Sequence, residues 1–346
     1  MTLTLRLCED AQEWDAALEG FEHATLFHTS DWLRFQENVS GMALRLCLFE
    51  RDGRCVGLFP AFLGRKAHMR LVASPPYRTC TPRLGPLAES DEALGDVLEA
   101  LEKWYAEIRA DYVDIYLARE VPAEQLQSFH YVPELRHTYF LDLSDGEEAV
   151  FGRFKRVCRK AVRKATKSGI TIIEASLSEH IERYYEMARV VYSRTNQEPP
   201  LSRETLLAME AALEAGGRCR TLWAVHEEKL VACCIFGTYR DTVYSIDAVA
   251  DRDYVRMAPN NLLHWELIRW AIAQGLSTYD MVGANTPNIA RFKATFGPEL
   301  ISYSYAWKAR SLRARVGRAT FKAFSPMLRV IRHKVGRLLG GGQARE

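Results

Sequence analysis

The feature that most constrains this chain is an order of elements that occurs twice. Apolar periodicity and turn residues mark the elements. The first half reads as a strand (LTLRLC), then two helices (DAQEWDAALEGF and HTSDWLRFQENV), the second capped by Thr29, Ser30 or Asp31. A hairpin follows, MALRLCLFER and RCVGLFPAFLG, turning at Asp52-Gly53. Beyond the Pro/Gly-rich passage ASPPYRTCTPRLGPL come a long helix (SDEALGDVLEALEKWYAEIRA), a strand (YVDIYLA), a short helix (PAEQLQSF) and a strand (RHTYFLDL). The second half repeats the order with little residue identity. It has a strand (GITIIEA), two helices, a hairpin (RCRTLWAVHE and KLVACCIFGTY), the further strand TVYSIDAVA and a long helix (PNNLLHWELIRWAIAQG). STYDMVG, PNIARFKATFG and ELISYSYAWK then supply a strand, a short helix and a strand. A chain of 346 residues exceeds the usual size of one core. The expectation is a mixed α/β (α+β) fold of two similar units, 1–150 and 170–307, each a twisted mixed sheet flanked by helices. Segment 151–169 joins them and a tail, 308–346, follows.

Charge is distributed unevenly over these parts. Residues 1–150 hold 14 Lys/Arg against 26 Asp/Glu, residues 151–307 hold 21 against 17, and residues 308–346 hold 11 against 1. The later parts are therefore suited to phosphates or an anionic surface, or else they neutralise the acidic half within the fold. The segment FGRFKRVCRKAVRKATKSG carries eight cations and no acid. Phe151, Phe154, Cys158, Ala161 and Ala165 share one helical face, so the segment predicts a basic linker helix. Arg163 and its neighbours would contact a donor's phosphates, or simply face water. In the tail, Leu312, Val316, Phe324, Leu328, Ile331, Val335 and Leu338 form a helical stripe that Pro326 interrupts. A basic amphipathic helix of this kind lies on an anionic membrane or packs on the parent domain.

The eight cysteines form no CxxC and no ligand spacing with histidine, so neither a zinc site nor a disulfide framework is expected. The N-terminal residues lack the pattern of a signal peptide, and no apolar run is long enough to span a bilayer. A cytoplasmic location is expected, with peripheral contact at the inner face of the membrane through 308–346.

No GxSxG and no recognisable Cys/His pairing is present, which argues against a covalent nucleophile. Acyl transfer to an amine needs none. It needs a deprotonated amine, placement, and stabilisation of a tetrahedral oxyanion. The junction RMAPNNLL opens a helix at Pro259, where free backbone N–H groups would face a phosphate, with Arg256, Asn260 and Asn261 at hand. Asp247 is a candidate general base, or else a core-rim acid. His264 and Asp280 read as structural. In IARFKATFG, Phe292 and Phe296 would pack a short helix against the sheet and so present Lys293 at a defined place.

Four strings together, FHTSDWLRFQ, KRVCRKAVRKATKSGI, APNNLLHWELIRWAIAQGLSTYDMVG and RFKATFG, resemble the FemAB-like branch of the GNAT acyltransferases over about residues 1–307. That branch has two tandem GNAT domains and includes enzymes that add amino acids to peptidoglycan precursors. The resemblance implies that Lys293 lies near the donor's acyl linkage, and that Tyr244 and Arg194 contact the acceptor. It implies an acyl-CoA or an aminoacyl-tRNA donor and a small-molecule or lipid-linked acceptor amine on a cell-envelope or polysaccharide precursor. The sequence departs from the pattern twice: it lacks a long helical hairpin insertion, and it lacks the Q/R-x-x-G-x-G/A phosphate loop. The alternative is a non-catalytic protein that keeps the fold and binds nucleic acid or an anionic membrane surface.

Overall fold

The computed structural model describes residues 3–77, 79, 81–193 and 198–320. The first half runs β1 (Thr4–Cys8), α1 (Ala11–Leu18), α2 (Ser30–Ser40), β2 (Ala43–Arg51), β3 (Arg54–Lys66), β4 (Met69–Ser74), β5 (Leu87–Ala88), α3 (Asp91–Glu107), β6 (Tyr112–Tyr116), α4 (Ala123–Ser128) and β7 (Val132–Asp142). Two helices follow, α5 (Glu147–Arg153) and α6 (Arg156–Lys167). The second half runs β8 (Thr171–Glu174), α7 (Leu177–Ser193), α8 (Arg203–Ala215), β9 (Cys219–His226), β10 (Lys229–Tyr239), β11 (Thr242–Ala250), α9 (Pro259–Ala273), β12 (Thr278–Asp280), α10 (Pro287–Lys293) and β13 (Glu299–Ala309).

The strands form one continuous mixed sheet, ordered β1-β2-β3-β4-β6-β13-β7-β12-β11-β10-β9-β8, with β5 on β3. Its two parallel pairs occupy matching places in the two halves. β4 pairs β6 across the α3 crossover, and β11 pairs β12 across the α9 crossover. Parallel neighbours need such a crossover, so the long helix of each half follows from the topology. The repeat read from the sequence is therefore present. Strand β4 is an addition, since HMRLVAS in the first half was not expected as a strand. The last strands are exchanged: β13 of the second half pairs β6 of the first, and β7 of the first half pairs β12 of the second. β13 and β7 also pair with each other along most of their length, which welds the halves.

The seam between the halves is apolar. Trp14, Phe27 and Trp32 share a core with Tyr184, Trp223 and Tyr244. Separate cores lie under α3 and under α9. Ion pairs also cross the seam, Arg218 with Asp31 and Arg240 with Glu19, while Arg310 and Arg313 bind Glu102 and Asp111. Part of the charge asymmetry is thus neutralised inside the fold. The seven described cysteines are free thiols.

The expected single helix over 151–169 is corrected: it is two helices that break at Phe154. That residue is 1% exposed, edge-on to Trp265 and Phe296, and the Lys155 amide donates to the Thr295 carbonyl at 2.8 Å. The break lets the chain pass over Gly297, whose φ is +74°. A Cβ there would lie 2.4 Å from the Arg153 carbonyl oxygen, so the glycine of the FKATFG string is sterically required.

Candidate functional site

Strands β11 and β12 pair only from Thr242–Thr278 to Tyr244–Asp280. Beyond that point β12 ends while β11 continues to Ala250, and a register shift against Ile235/Phe236 leaves Ile246 as a bulged residue. The two strands cease to pair there, a splay that leaves the edge of β11 from Ser245 onward without a strand partner. Past Asp280 the chain turns sharply. Val282 (φ +49°) and Gly283 (φ +72°) are both left-handed, which is costly for a β-branched valine.

Asp280 holds this turn. Its carboxylate accepts from the Val282 amide at 2.9 Å and from the Thr138 hydroxyl at 2.8 Å, and the same hydroxyl accepts from the Gly283 amide at 3.2 Å. Asp280 is fully buried and paired with Arg83 of the first half, whose guanidinium lies over the rings of Phe140 and Tyr303. The turn directs the carbonyls of Val282 and Gly283 at the Lys293 ammonium, which donates to both, to Gly283 at 3.1 Å. A lysine has three N–H donors, so one is left over from these two bonds. Burial lowers the Lys293 pKa to about 8, opposed by the nearby Asp280 charge. Phe292 and Phe296 fix α10 against His264 of α9, with ring centroids 5.6 and 5.4 Å from the imidazole, where the sequence suggested packing on the sheet. His264 is buried, and its Nδ1 lies 2.6 Å from the Tyr279 hydroxyl. Burial, helped by Lys293, drives its pKa down to about 3, so it stays neutral and structural.

Residues 152–294 match the family model described as Acetyltransferase (GNAT) domain. They hold the whole of the splay, the turn and Lys293. The second half therefore resembles a GNAT-type acyltransferase domain. The chain as a whole is similar in fold to FemX, with 13% identity, a TM-score of 0.71, and coverage of 88% of this chain and 97% of that one. It is also similar to the C-terminal domain of a putative lysylphosphatidylglycerol synthetase from Agrobacterium fabrum (10% identity, TM-score 0.57, 90% and 97% covered). A tandem GNAT protein from the clavulanic acid biosynthesis pathway has the same architecture (13%, TM-score 0.53, 88% and 98% covered). No curated protein sequence matches. The tandem FemAB-like resemblance stands on the family model and the fold together, and acyl transfer is supported at the level of the family.

Within the GNAT domain the other predicted residues separate. Asp247 lies on the splayed part of β11, where its two oxygens accept from the Tyr184 hydroxyl and the Ala248 amide, each at 2.9 Å. Burial raises its pKa, opposed by those hydrogen bonds. Tyr244 is 4% exposed and edge-on to Phe27 at 5.5 Å, so it packs the seam between the halves. Arg194 lies outside the described residues.

The α9 junction corrects an expectation. The amides of Met257, Ala258 and Asn261 already donate to the carbonyls of Tyr254, Val255 and Ala258, and Pro259 has no N–H. A 3-10 turn over Val255–Met257 and a left-handed Ala258 (φ +62°) fold these donors inward. Among the described residues from 257 to 261, only Asn260 keeps an amide with no backbone acceptor. The Asn261 side chain turns to the Cys158 sulfur at 3.5 Å, while the Asn260 side-chain oxygen is buried without a partner. Arg256 is exposed, and Arg163 lies exposed on α6 above the Phe151 ring. Helix α6 packs beside α9, and its Arg156, Lys160, Arg163, Lys164 and Lys167 form no ion pair among the described residues. Among those residues no group of three or more His, Cys, Asp or Glu could hold a metal ion. No described helix is long and apolar enough to cross a membrane.

A cleft of about 430 Å³ lies on the other side of the 281–285 turn, lined by Tyr77, Asp114, Tyr116, Arg136, Asn285 and Tyr303 among others. Asp114 is 7% exposed, accepts from the Tyr305 hydroxyl at 3.3 Å, and is raised by burial to a pKa of about 6. Sequence reasoning missed this acid. A lone carboxylate in the middle of the apolar strand YVDIYLA was the available signal.

Proposed function

We propose that the chain transfers an acyl group from an activated ester or thioester to a primary amine, forming an amide on a cell-envelope or polysaccharide precursor. The observation that carries this reading is the clamp on Lys293, which fixes the ammonium with two N–H groups and leaves the third uncommitted by those bonds, and we place that third N–H toward the β11/β12 splay. The donor carbonyl enters the splay and the acceptor amine approaches from the cleft beside Gly283. The amine nitrogen attacks the carbonyl carbon, and the oxyanion that forms takes the free N–H of Lys293. Asp247, its proton affinity raised by burial, accepts the proton lost by the amine. Collapse of the intermediate expels the donor's oxygen or sulfur with the bonding pair. A non-catalytic binder would have no use for a strained Val282 turned to hold a lysine.

The donor we favour is aminoacyl-tRNA. The unpaired cations of α6 stand beside the α9 start and suit an extended phosphate backbone. Acyl-CoA is the second reading, favoured by the GNAT acetyltransferase match. Isotope-labelled aminoacyl-tRNA and acetyl-CoA, each offered with an extract of amine-bearing envelope precursors, decide between them. Label entering an amide from the tRNA, and lost in Lys293→Ala, is expected. Label from CoA alone replaces the first donor with the second, and transfer from neither with any acceptor defeats the reading.

A further inference from the structure

We propose that the tip of the β3–β4 hairpin and the outer face of helical residues 312–320 form a docking surface for an anionic phospholipid bilayer. The helix is held on the sheet in one orientation. Ala314, 2% exposed, packs with Leu71 and Tyr112. Arg313 makes two bonds to the Asp111 carboxylate, at 2.8 and 2.7 Å, and the Arg318 guanidinium lies 3.5 Å from the Trp307 ring centroid. With that face fixed, the opposite one is set: Leu312 is 76% exposed and Val316 55%. They are one helical turn apart and so are neighbours, flanked by the exposed Arg315.

Beside them the hairpin tip turns through two left-handed residues, Ala67 and His68, and exposes Arg65, Lys66 and Arg70. Together with Arg313 these residues line a hollow of about 350 Å³ with no carboxylate in its lining. Arg65, Lys66 and Arg315 have no ion-pair partner among the described residues. The sequence continues with six more Lys/Arg and a single acid over 321–346. Phosphodiester headgroups satisfy the cations and the hollow, and the acyl boundary takes Leu312 and Val316. A nucleic acid would meet the same charges but would leave both apolar side chains in water, so the bilayer is the occupant that uses the whole surface.

The test needs no turnover. The full chain is sedimented with vesicles of phosphatidylcholine, with or without phosphatidylglycerol. Binding only to the anionic vesicles, weakened by salt, is expected. The triple variant Arg65→Gln/Lys66→Gln/Arg315→Gln should partition roughly 100-fold less, from about fivefold per basic residue. Leu312→Ser/Val316→Ser keeps the charge and should still lose about tenfold. All five positions are exposed, so unchanged thermal unfolding will show that the variants are folded. Wild-type failure to bind anionic vesicles, or either variant binding as the wild type does, overturns the proposal. So does bulk tRNA stripping the chain from vesicles at equal phosphate concentration.

Discussion

Turnover should fall as the pH rises through about 8, and the fall should belong to Lys293. Its ammonium is desolvated by the turn and by α10, which lowers its pKa from 10.5 to about 8. The cation is the form that stabilises the oxyanion, so each unit above that value removes about a factor of ten in competent enzyme. At pH 9 about one tenth of the rate should remain, once the opposite trend from acceptor deprotonation is divided out. The control for that division is Lys293→Arg, whose guanidinium stays charged across the range. Its fork does not match the two carbonyls that hold an ammonium, so it should be slower by roughly 10- to 100-fold, but its alkaline limb should vanish. Lys293→Ala should lose about 100- to 1000-fold in kcat with a smaller change in KM. The assay is kcat/KM for label transfer measured from pH 6 to pH 10. An alkaline limb that persists unchanged in Lys293→Arg would refute the reasoning.

Asp280→Asn removes the charge that supports the lysine cation, so the alkaline limb should move to lower pH. It also strands Arg83, a buried cation left without its carboxylate, at about 3–5 kcal/mol, readable as a lowered Tm. Asp247→Asn should lower kcat and abolish the acid limb of the pH profile, because the raised pKa of Asp247 makes that limb. Phe296→Ala empties a fully buried site against Phe154 and His264, and should cost about 3–5 kcal/mol in urea unfolding.

What the sequence made legible follows from what periodicity reports. The hairpin β9–β10, the long helix α9 and the string around Phe292, Lys293 and Phe296 all lie in contiguous stretches whose apolar spacing names the element and the buried face. Periodicity does not name neighbours. The exchange of β7 and β13 leaves each strand's pattern unchanged, so it was invisible. The ion pair that holds the 280–283 turn joins Arg83 and Asp280, 197 residues apart. Asp280 read as structural from its strand end, and it is structural in the sense that it aims the Val282 and Gly283 carbonyls. The basic segment 151–169 has the apolar face of one helix, and only the insertion of Phe154 between Trp265 and Phe296 breaks it. At the α9 junction Pro259 correctly marked the first turn, but the backbone of Ala258 decides where the amides point. That left-handed φ is written in no residue preference, since alanine seldom adopts it.

The central claim is that one N–H of a clamped lysine meets the donor's carbonyl oxygen between β11 and β12. The most direct measurement is a single-turnover transfer with saturating donor and acceptor, comparing wild type and Lys293→Ala, with donor affinity measured on the same samples. The account predicts donor binding within a few-fold of wild type and a chemical step slowed by about 100-fold or more. An unchanged single-turnover rate with intact binding would contradict it.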